Sequence, residues 1–341
     1  MNRDEQPIIG ESPAFLETLE LVSQAAALNR SVLIVGERGT GKELIADRLH
    51  YLSPRWDQPL IRMNCAAIND ALLESELFGH ESGAFTDARG RRLGRFEQAD
   101  GGSLFLDELA TTSAAVQEKI LRIIEYGEFE RLGSSQTLRV DVRVIGATNE
   151  DLPTLAKQGR FRADLLDRLS FEVITLPPLR ERREDIPLLA EHFAIRMSRE
   201  LKREIFSGFT DRARARLMAY PWPGNVRELK NTIERAVYRL QQYDQPVSHL
   251  QFDPFDSPYR PDHEHTSEGL PVNGASHDGP PVESSDDQLP IDLKQHLESI
   301  EIEWIERALE ACQGNQKKTA EALGLSYDQL RGLLRKYSIS S

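Results

Sequence analysis

Between Ile8 and about Tyr243, continuously apolar stretches alternate with segments of helical periodicity. The apolar stretches read SVLIVG, PLIRMNC, GGSLFLDE, VRVIGATN and FEVITLP. A strand with one wet face alternates apolar and polar residues, whereas a continuously apolar strand belongs to a parallel sheet that is covered on both faces. The pattern therefore predicts an α/β domain with a parallel sheet of the nucleotide-binding type.

The strand pattern stops after Pro177, and helical segments follow. The last of these repeats apolar residues such as Leu229 and Ile233 at helical spacing. Next comes a stretch rich in Pro, Asp, Ser, Gly and His. Such a stretch buries too little apolar surface to offset the conformational entropy that is lost when a chain becomes ordered. The predicted domains are a sheet domain over residues 1–176, a helical lid over 177–243, a flexible linker over 244–289 and an all-α C-terminal domain over 290–341.

Composition excludes several classes of protein. No run approaches the ~20 apolar residues that a membrane helix needs, and the start, MNRDEQPIIG, lacks the basic and apolar regions of a signal peptide. We therefore expect a cytoplasmic protein. Cys65 and Cys312 lie far apart in sequence, which does not suggest a disulfide framework. The net charge of -13 argues against a general nucleic-acid coat, so any contact with DNA must come from a local patch.

A glycine-rich loop, GERGTGKE, connects the first apolar stretch to a helical segment. Glycines let the backbone curl so that successive N–H groups face a phosphate, and Lys42 adds a point charge at the helix N-terminus. A glycine-rich turn alone can be idle, but here strand, loop, lysine and helix follow in order. Glu43 replaces the Ser or Thr that usually holds magnesium. The predicted phosphate-loop residues are Gly36, Glu37, Arg38, Gly39, Thr40, Gly41, Lys42 and Glu43.

Polar residues end two further strands of the predicted sheet. After GGSLFL, Asp107 can hold a hydrated magnesium ion and Glu108 can polarise the attacking water, although an acidic pair can also merely cap a strand. After the next strand, the Asn149 amide can orient water near a γ-phosphate, whereas a turn role suits Thr148 better. Together with the loop, these residues predict a site for a magnesium-bound nucleotide.

The tail, NQKKTAEALGLSYDQLRGLLRKY, has the pattern of a short helix, a break at Gly324 and a second helix that Ser326 can cap. The predicted inward positions are Ala320, Leu323, Leu330, Leu333 and Leu334. Polar residues at the start of the second helix suit base edges, and the flanking cations suit phosphates. The predicted DNA-binding residues of this helix-turn-helix are Lys317, Lys318, Tyr327, Gln329, Arg331 and Arg335. A helical dimerisation hairpin is the alternative.

The phosphate loop, the strand that ends in Asp107 and Glu108, and Asn149 resemble the Walker A, Walker B and sensor I elements of AAA+ ATPases. Within that class, NCAAI, ESELFGHESGAFTDA, FRADLLDRL and WPGNVREL are similar to stretches of the sigma-54-dependent activators, the bacterial enhancer-binding proteins. The tail resembles their Fis-type DNA-binding domain. The resemblance covers nearly the whole chain except the linker, and it implies ATP and Mg²⁺ as cofactors. In that family, Glu commonly follows the P-loop lysine.

The resemblance also implies roles for residues outside the phosphate loop. Arg162 and Arg168 resemble arginine fingers, which reach the site of a neighbouring subunit and so imply a ring, such as a hexamer. On the residues alone, a surface helix with Arg–Asp ion pairs is the alternative. Arg227 resembles sensor II, and Asn64 resembles the switch residue that holds the Walker B glutamate. The implied catalytic set is Lys42, Asp107, Glu108, Asn149, Arg162 and Arg168.

The stretch HESGAFTDARG places an aromatic residue at the tip of a polar loop between the two Walker motifs. Burying a Phe side chain on contact is worth ~1.5–3 kcal/mol. In the family this loop grips sigma-54, which implies that Phe85 and Thr86 transmit ATP hydrolysis to the closed promoter complex of RNA polymerase and open it. Asp87 stands where the family has glycine, although Asp tolerates a left-handed backbone.

Two other functions stay open. A regulator that no longer engages sigma-54, because of Asp87, would act as a repressor or a conventional activator. A protein-unfolding AAA+ machine would leave the DNA-binding tail unexplained.

Only about seven residues precede the ATPase segment, where most members of the family carry a sensory domain. We therefore expect control in trans by a separate inhibitory protein. Trp56, in the polar loop SPRWDQP, is its implied contact, and an ordinary half-buried Trp is the alternative. The resemblance implies a phage-shock or envelope-stress operon as the target.

Overall fold

A computed structural model describes residues 7–84, 90–240, 242 and 244–256, and then 302, 304–305, 307–309, 312, 315–325 and 327–337. The chain divides into two compact units, Met1–Pro261 and Asp262–Ser341. The predicted sigma-54 contacts Phe85 and Thr86 lie outside the described residues, as do Asp87 and Ser326.

In the first unit, the described strands are β1 Val32–Val35, β2 Leu60–Asn64, β3 Ser103–Asp107, β4 Glu128–Glu130, β5 Thr137–Arg139, β6 Arg143–Thr148 and β7 Glu172–Thr175. The described helices of this unit are α1 Pro13–Ala26, α2 Lys42–Tyr51, α3 Asp70–Phe78, α4 Arg95–Gln98, α5 Ala114–Tyr126, α6 Leu152–Lys157, α7 Ala163–Leu169, α8 Asp185–Glu200, α9 Asp211–Ala219 and α10 Asn225–Tyr238. Short 3-10 helices span Leu109–Thr111 and Leu179–Glu181.

The main sheet is parallel, with the strand order β2-β3-β6-β1-β7. Its strands supply a core on each face. In β3, Leu104 and Leu106 pack into one core and Phe105 packs into the other. Because both faces are covered, these strands are apolar at successive positions. The predicted α/β sheet is confirmed, and the carboxyl ends of its strands meet at one edge, where ligands of such sheets bind.

A small antiparallel hairpin, β4 with β5, was not predicted from the sequence. Its strands have three residues each, and charged residues flank the single buried Phe129. The segment that connects its two strands pairs with the base of the loop GAFTDA, residues 83–88, which we call the GAFTDA loop. The Glu81 amide donates to the Leu132 carbonyl at 3.0 Å, and the His80 and Arg92 backbones exchange hydrogen bonds of 3.1 and 2.9 Å.

The helical lid consists of α8, α9 and α10 around the fully buried Trp222. Leu229, Ile233 and Val237 face this core, as their spacing predicts, and Ala236 is partly buried beside them.

The lid continues past its predicted end at Tyr243. Val247 and Leu250 are each 1% exposed, the Thr210 amide donates to the Val247 carbonyl at 3.0 Å, and the Phe252 ring stacks on Tyr220 with 4.2 Å between centroids. Residues 247–252 therefore pack on the lid and do not form a linker. This packing was not predicted from the sequence, because only three spaced apolar side chains, Val247, Leu250 and Phe252, carry it within a polar, proline-containing stretch.

In the second unit, α11 Gln316–Ala322 and α12 Tyr327–Tyr337 flank Gly324, whose φ of 66° lies in the left-handed region. The predicted inward residues pack with Ile305 and Leu309. Ala320, Leu330 and Leu334 are buried, and Leu323 and Leu333 are partly buried. A helix, a glycine turn and a second helix on one core confirm the predicted helix-turn-helix. Among the helices that the structure describes, none has the length and apolar character to cross a membrane.

Candidate nucleotide-binding site

The phosphate loop runs from the end of β1 to the start of α2. Gly39 and Gly41 have φ angles of 78° and 102°, in the left-handed region that glycine adopts without strain. Lys42 is buried, and its ammonium donates to the Gly36 carbonyl at 2.9 Å and to the Glu37 carbonyl at 3.3 Å. Burial lowers the pKa of Lys42, while Asp107 and Glu108 act in the opposite direction. The loop therefore holds a desolvated cation, which a polyphosphate would compensate.

The predicted acidic pair lies at the carboxyl end of β3. Asp107 accepts the Glu108 amide at 3.0 Å, and Glu108 has a left-handed backbone with φ of 54°. This turn places the Glu108 carboxylate 3.9 Å from the Arg38 guanidinium of the phosphate loop. Asn64, at the end of β2, is in register with Asp107, and its side chain accepts the Ala66 amide at 2.9 Å. The structure thus brings the predicted acid pair, switch residue and loop to one edge of the sheet.

Asn149 follows β6 at the same edge of the sheet. Its side-chain oxygen is buried and has no hydrogen-bond partner among the residues that the structure describes. A buried amide oxygen without a partner costs free energy, so it marks a place where a water or ligand would bind. Thr148 behaves differently, because its hydroxyl accepts the Glu150 amide at 2.9 Å. The orphaned oxygen of Asn149 fits a role in orienting water, and Thr148 fits the turn role.

The residues at this edge also fit a magnesium ion. In the described part of the chain, His, Cys, Asp and Glu do not gather in groups of three or more that could hold a metal by themselves. Magnesium bound with nucleotides usually takes one or two carboxylates, with phosphates and waters as its other ligands. Asp107 suits that pattern. Glu43 points elsewhere, because its side chain is 64% exposed and lies 3.7 Å from the Arg62 guanidinium.

The lid reaches the phosphate loop at the turn WPGN. Trp222 and Asn225 both have φ of 52°, and burial of the Trp222 ring holds this turn in place. The approach is so close that a Cβ on Gly39 would lie 2.3 Å from the Gly224 carbonyl oxygen. The Arg227 amide donates to the Gly39 carbonyl at 3.3 Å. The backbone of Arg227, the predicted sensor II residue, therefore contacts the phosphate loop directly.

Other lid residues that contact this loop were missed from the sequence. Arg180 binds the Glu37 carboxylate with two nitrogens at 2.6 and 2.9 Å, and Asn225 donates to the same carboxylate at 3.0 Å. Arg182 donates to the Thr40 carbonyl at 3.1 Å. The only sequence signal is the arginine cluster LRERRE immediately after a Pro-Pro pair.

Arg162 and Arg168 lie apart from this group of contacts. Arg162 pairs with Asp164 at 2.7 Å, and Arg168 pairs with Glu125 at 2.7 Å. The Arg168 side chain is 61% exposed. These pairs match the surface-helix alternative and also leave both guanidinium groups accessible to another chain.

The base of the GAFTDA loop is held by a buried ion cluster. Arg131, with 5% of its side chain exposed, binds both Glu81 and Glu97. Burial works to raise the pKa of Glu97, but hydrogen bonds from Arg131 and Gly94 outweigh it, and the pKa lies below its ordinary value. The loop therefore starts from a fixed base at Glu81.

The remaining predicted contacts lie on the surface. Trp56 is 63% exposed, and Tyr51 and Leu52, at the end of α2 a few residues earlier in the chain, are also exposed. The half-buried alternative for Trp56 is wrong.

In the second unit the predicted DNA contacts are all exposed, namely Lys317, Lys318, Tyr327, Gln329, Arg331 and Arg335. Both cysteines are free, and burial raises the pKa of Cys65 to about 12, which makes it an inert thiol.

Three family models match successive parts of the chain. The model described as Sigma-54 interaction domain matches residues 8–175. The model described as AAA+ ATPase lid domain matches residues 180–265, and the model described as Bacterial regulatory protein, Fis family, matches residues 296–337. Their order is that of the sheet, the lid and the helix-turn-helix.

Known proteins are similar over the same regions. The chain is 55% identical over 332 residues to the Psp operon transcriptional activator of Escherichia coli K12, covering 97% of this chain and 98% of that protein. It is 54% identical over 233 residues to the transcriptional regulatory protein ZraR of Salmonella typhimurium, covering 68% of this chain and 53% of ZraR. A crystal structure of NtrX from Brucella abortus in complex with ATP has a TM-score of 0.67 and 30% identity, over 98% of this chain and 70% of that one.

Proposed function

The chain belongs to the sigma-54-dependent transcriptional activators, with an AAA+ ATPase domain and a Fis-type DNA-binding domain, and we propose that it uses ATP hydrolysis to convert the closed promoter complex of sigma-54 RNA polymerase into an open complex. Its helix-turn-helix would hold it at an upstream enhancer, where exposed cations meet phosphates and exposed polar side chains meet base edges.

The chemistry that we propose needs few groups. Lys42 and the loop amides bind the phosphates, Glu108 polarises the attacking water, and the Asn149 amide orients that water. When bound, Mg²⁺ would neutralise charge on the phosphates, with Asp107 as its protein ligand. The buried side-chain oxygen of Asn149, which lacks a hydrogen-bond partner in the described part of the chain, supports this arrangement.

We propose that the site is completed by a second copy of the chain. Arg162 and Arg168 are bound to carboxylates of their own surface, and the ion pairs described for them do not include the phosphate loop. A guanidinium group can stabilise charge on the transferred phosphoryl only if it reaches the phosphates. A six-membered ring, the assembly that the family resemblance implies, would bring these residues to the neighbouring site.

One observation supports coupling between the nucleotide and sigma-54. The chain leaves β2 at Asn64, in register with Asp107, and runs through α3 directly to the loop base at Gly79 and His80. A shift of Asn64 towards Glu108 would therefore pull on the helix that carries the loop. We propose that Phe85 and Thr86 grip sigma-54 and move with this helix.

Phe85→Ala is expected to hydrolyse ATP within about twofold of the parent rate and to form no open complexes, because only the contact with sigma-54 loses its buried aromatic area. The measurement combines phosphate release with open-complex formation on a premelted promoter. Phe255→Ala is the matched control, since Phe255 is 70% exposed and remote in sequence from the loop. Full opening by Phe85→Ala would remove the role proposed for the loop tip.

The same assay tests the alternative function that the sequence left open. If the protein is a repressor or a conventional activator, the parent chain will hydrolyse ATP but form no open complexes. Asp87→Gly restores the family residue, so opening that appears only in this variant would favour that second function.

We further propose control by a separate inhibitory protein that binds at Trp56. The exposure of Trp56, Tyr51 and Leu52 supports an apolar contact surface there. The name of the Escherichia coli relative supports a stress operon as the target.

A further inference from the structure

The lid grips the phosphate loop through a carboxylate of the loop itself. Arg180 directs two nitrogens at the Glu37 carboxylate, at 2.6 and 2.9 Å, from a position 143 residues away in sequence. Asn225 donates to the same carboxylate at 3.0 Å and to the Arg38 carbonyl at 3.1 Å. Bidentate pairing fixes direction as well as distance, so this contact specifies how the lid sits on the loop.

The segment that carries Arg180 is itself held firmly. Arg182 donates to the Thr40 carbonyl at 3.1 Å and stacks over the Phe15 ring at 4.6 Å. Asp185 is fully buried and accepts the amides of Glu11 and Ser12 at 2.7 and 2.9 Å. These contacts hold the backbone at Arg180 in place, so the Arg180 segment loses little conformational entropy when the side chain binds Glu37.

Glu37 places a negative charge in a loop that must receive a polyphosphate. Hydrogen bonds from Arg180, and then from Asn225, lower the pKa of Glu37 to about 2, so the carboxylate is ionised at neutral pH. An uncompensated carboxylate in this loop would repel the phosphates. The Arg180 cation offsets that charge, and the Arg180 backbone belongs to the lid side of the site.

We propose that Arg180 is a positioning residue that acts through Glu37, holding the lid on the phosphate loop and screening bound ATP from the Glu37 carboxylate. It contacts no reacting atom in this scheme. The inference rests on the ATPase activity of the chain and not on the proposed remodelling of the promoter complex.

The test is a double-mutant cycle in the full-length chain, with steady-state hydrolysis and direct binding of a fluorescent ATP analogue. Arg180→Gln is expected to raise the KM for ATP about three- to fivefold while kcat stays within about twofold. In Glu37→Gln/Arg180→Gln the KM should equal that of Glu37→Gln alone, because Arg180 then has no carboxylate to hold. Arg199→Gln, an exposed arginine at the end of α8, is the control.

Multiplicative effects of the two substitutions on KM would overturn the inference, as would an unchanged KM in Arg180→Gln or a loss confined to kcat. If Arg180→Gln fails to fold, Arg180→Lys supports the same cycle, with a smaller rise in KM expected because lysine cannot bind in a bidentate way. A parent chain that binds ATP normally but opens no promoter contradicts the proposed function alone.

Discussion

Lys42→Ala is expected to lose ATP hydrolysis by about 10²–10³-fold and to bind nucleotide weakly. The Lys42 ammonium is buried and bonded only to the carbonyls of Gly36 and Glu37 in the described residues. Burial lowers the pKa of Lys42 because a desolvated cation is costly, and the phosphates of ATP would supply the missing negative charge. Alanine removes this cation from the loop without changing the glycine turns.

Phosphate release and binding of a fluorescent ATP analogue measure this effect. Lys157→Ala, an exposed lysine at the end of α6, is the matched control and should behave as the parent. A folded Lys42→Ala chain that hydrolyses ATP at the parent rate would place the phosphate site elsewhere.

In the same two assays, Glu108→Gln should bind ATP but not hydrolyse it, since an amide cannot polarise the attacking water.

Arg168→Ala is expected to slow hydrolysis by about 10³-fold or more, the usual effect of losing an arginine finger. In the described part of its own chain, Arg168 pairs only with Glu125, at 2.7 Å, and its side chain is 61% exposed. The loss of a surface ion pair of this kind changes stability by at most ~1 kcal/mol and would not affect catalysis. A large loss of rate therefore requires that Arg168 reach the site of another chain.

Mixing two inactive variants tests this requirement. Arg168→Ala chains keep the phosphate loop, and Lys42→Ala chains keep the finger, so in an equal mixture about a quarter of the interfaces combine both intact parts. Hydrolysis should return on mixing. Arg160→Ala, an exposed arginine two positions before Arg162, should be active alone. Mixtures that stay inactive, or Arg168→Ala chains that retain full activity, would exclude a shared site.

Local chemistry made much of this molecule predictable. The continuously apolar strands predicted the parallel sheet, because a strand covered on both faces buries most of its side chains. The turns at Gly39 and Gly41 need a left-handed backbone, which glycine signals directly in the sequence. Asp107 and Asn149 were predicted to share an edge because parallel strands end together, and the structure places them there.

Contacts between distant segments escaped prediction. The sequence around Glu37 does not indicate a pair with Arg180, because this pair forms only when the lid packs on the phosphate loop. The hairpin of β4 and β5 is too short to show periodicity, and residues 244–256 look like a linker until the lid core shows where Val247 and Leu250 are buried. Within the single chain, Arg162 and Arg168 form surface ion pairs with Asp164 and Glu125, and these contacts do not distinguish a catalytic arginine from an ordinary surface one.

Open-complex formation with purified components decides whether hydrolysis by this chain acts on transcription. The assay contains sigma-54 holoenzyme, a supercoiled sigma-54-dependent promoter, the full-length chain and ATP. We expect open complexes with ATP and none with a non-hydrolysable analogue or with Lys42→Ala. Vigorous hydrolysis by the parent chain without any open complex would contradict the proposed coupling between the nucleotide site and the promoter.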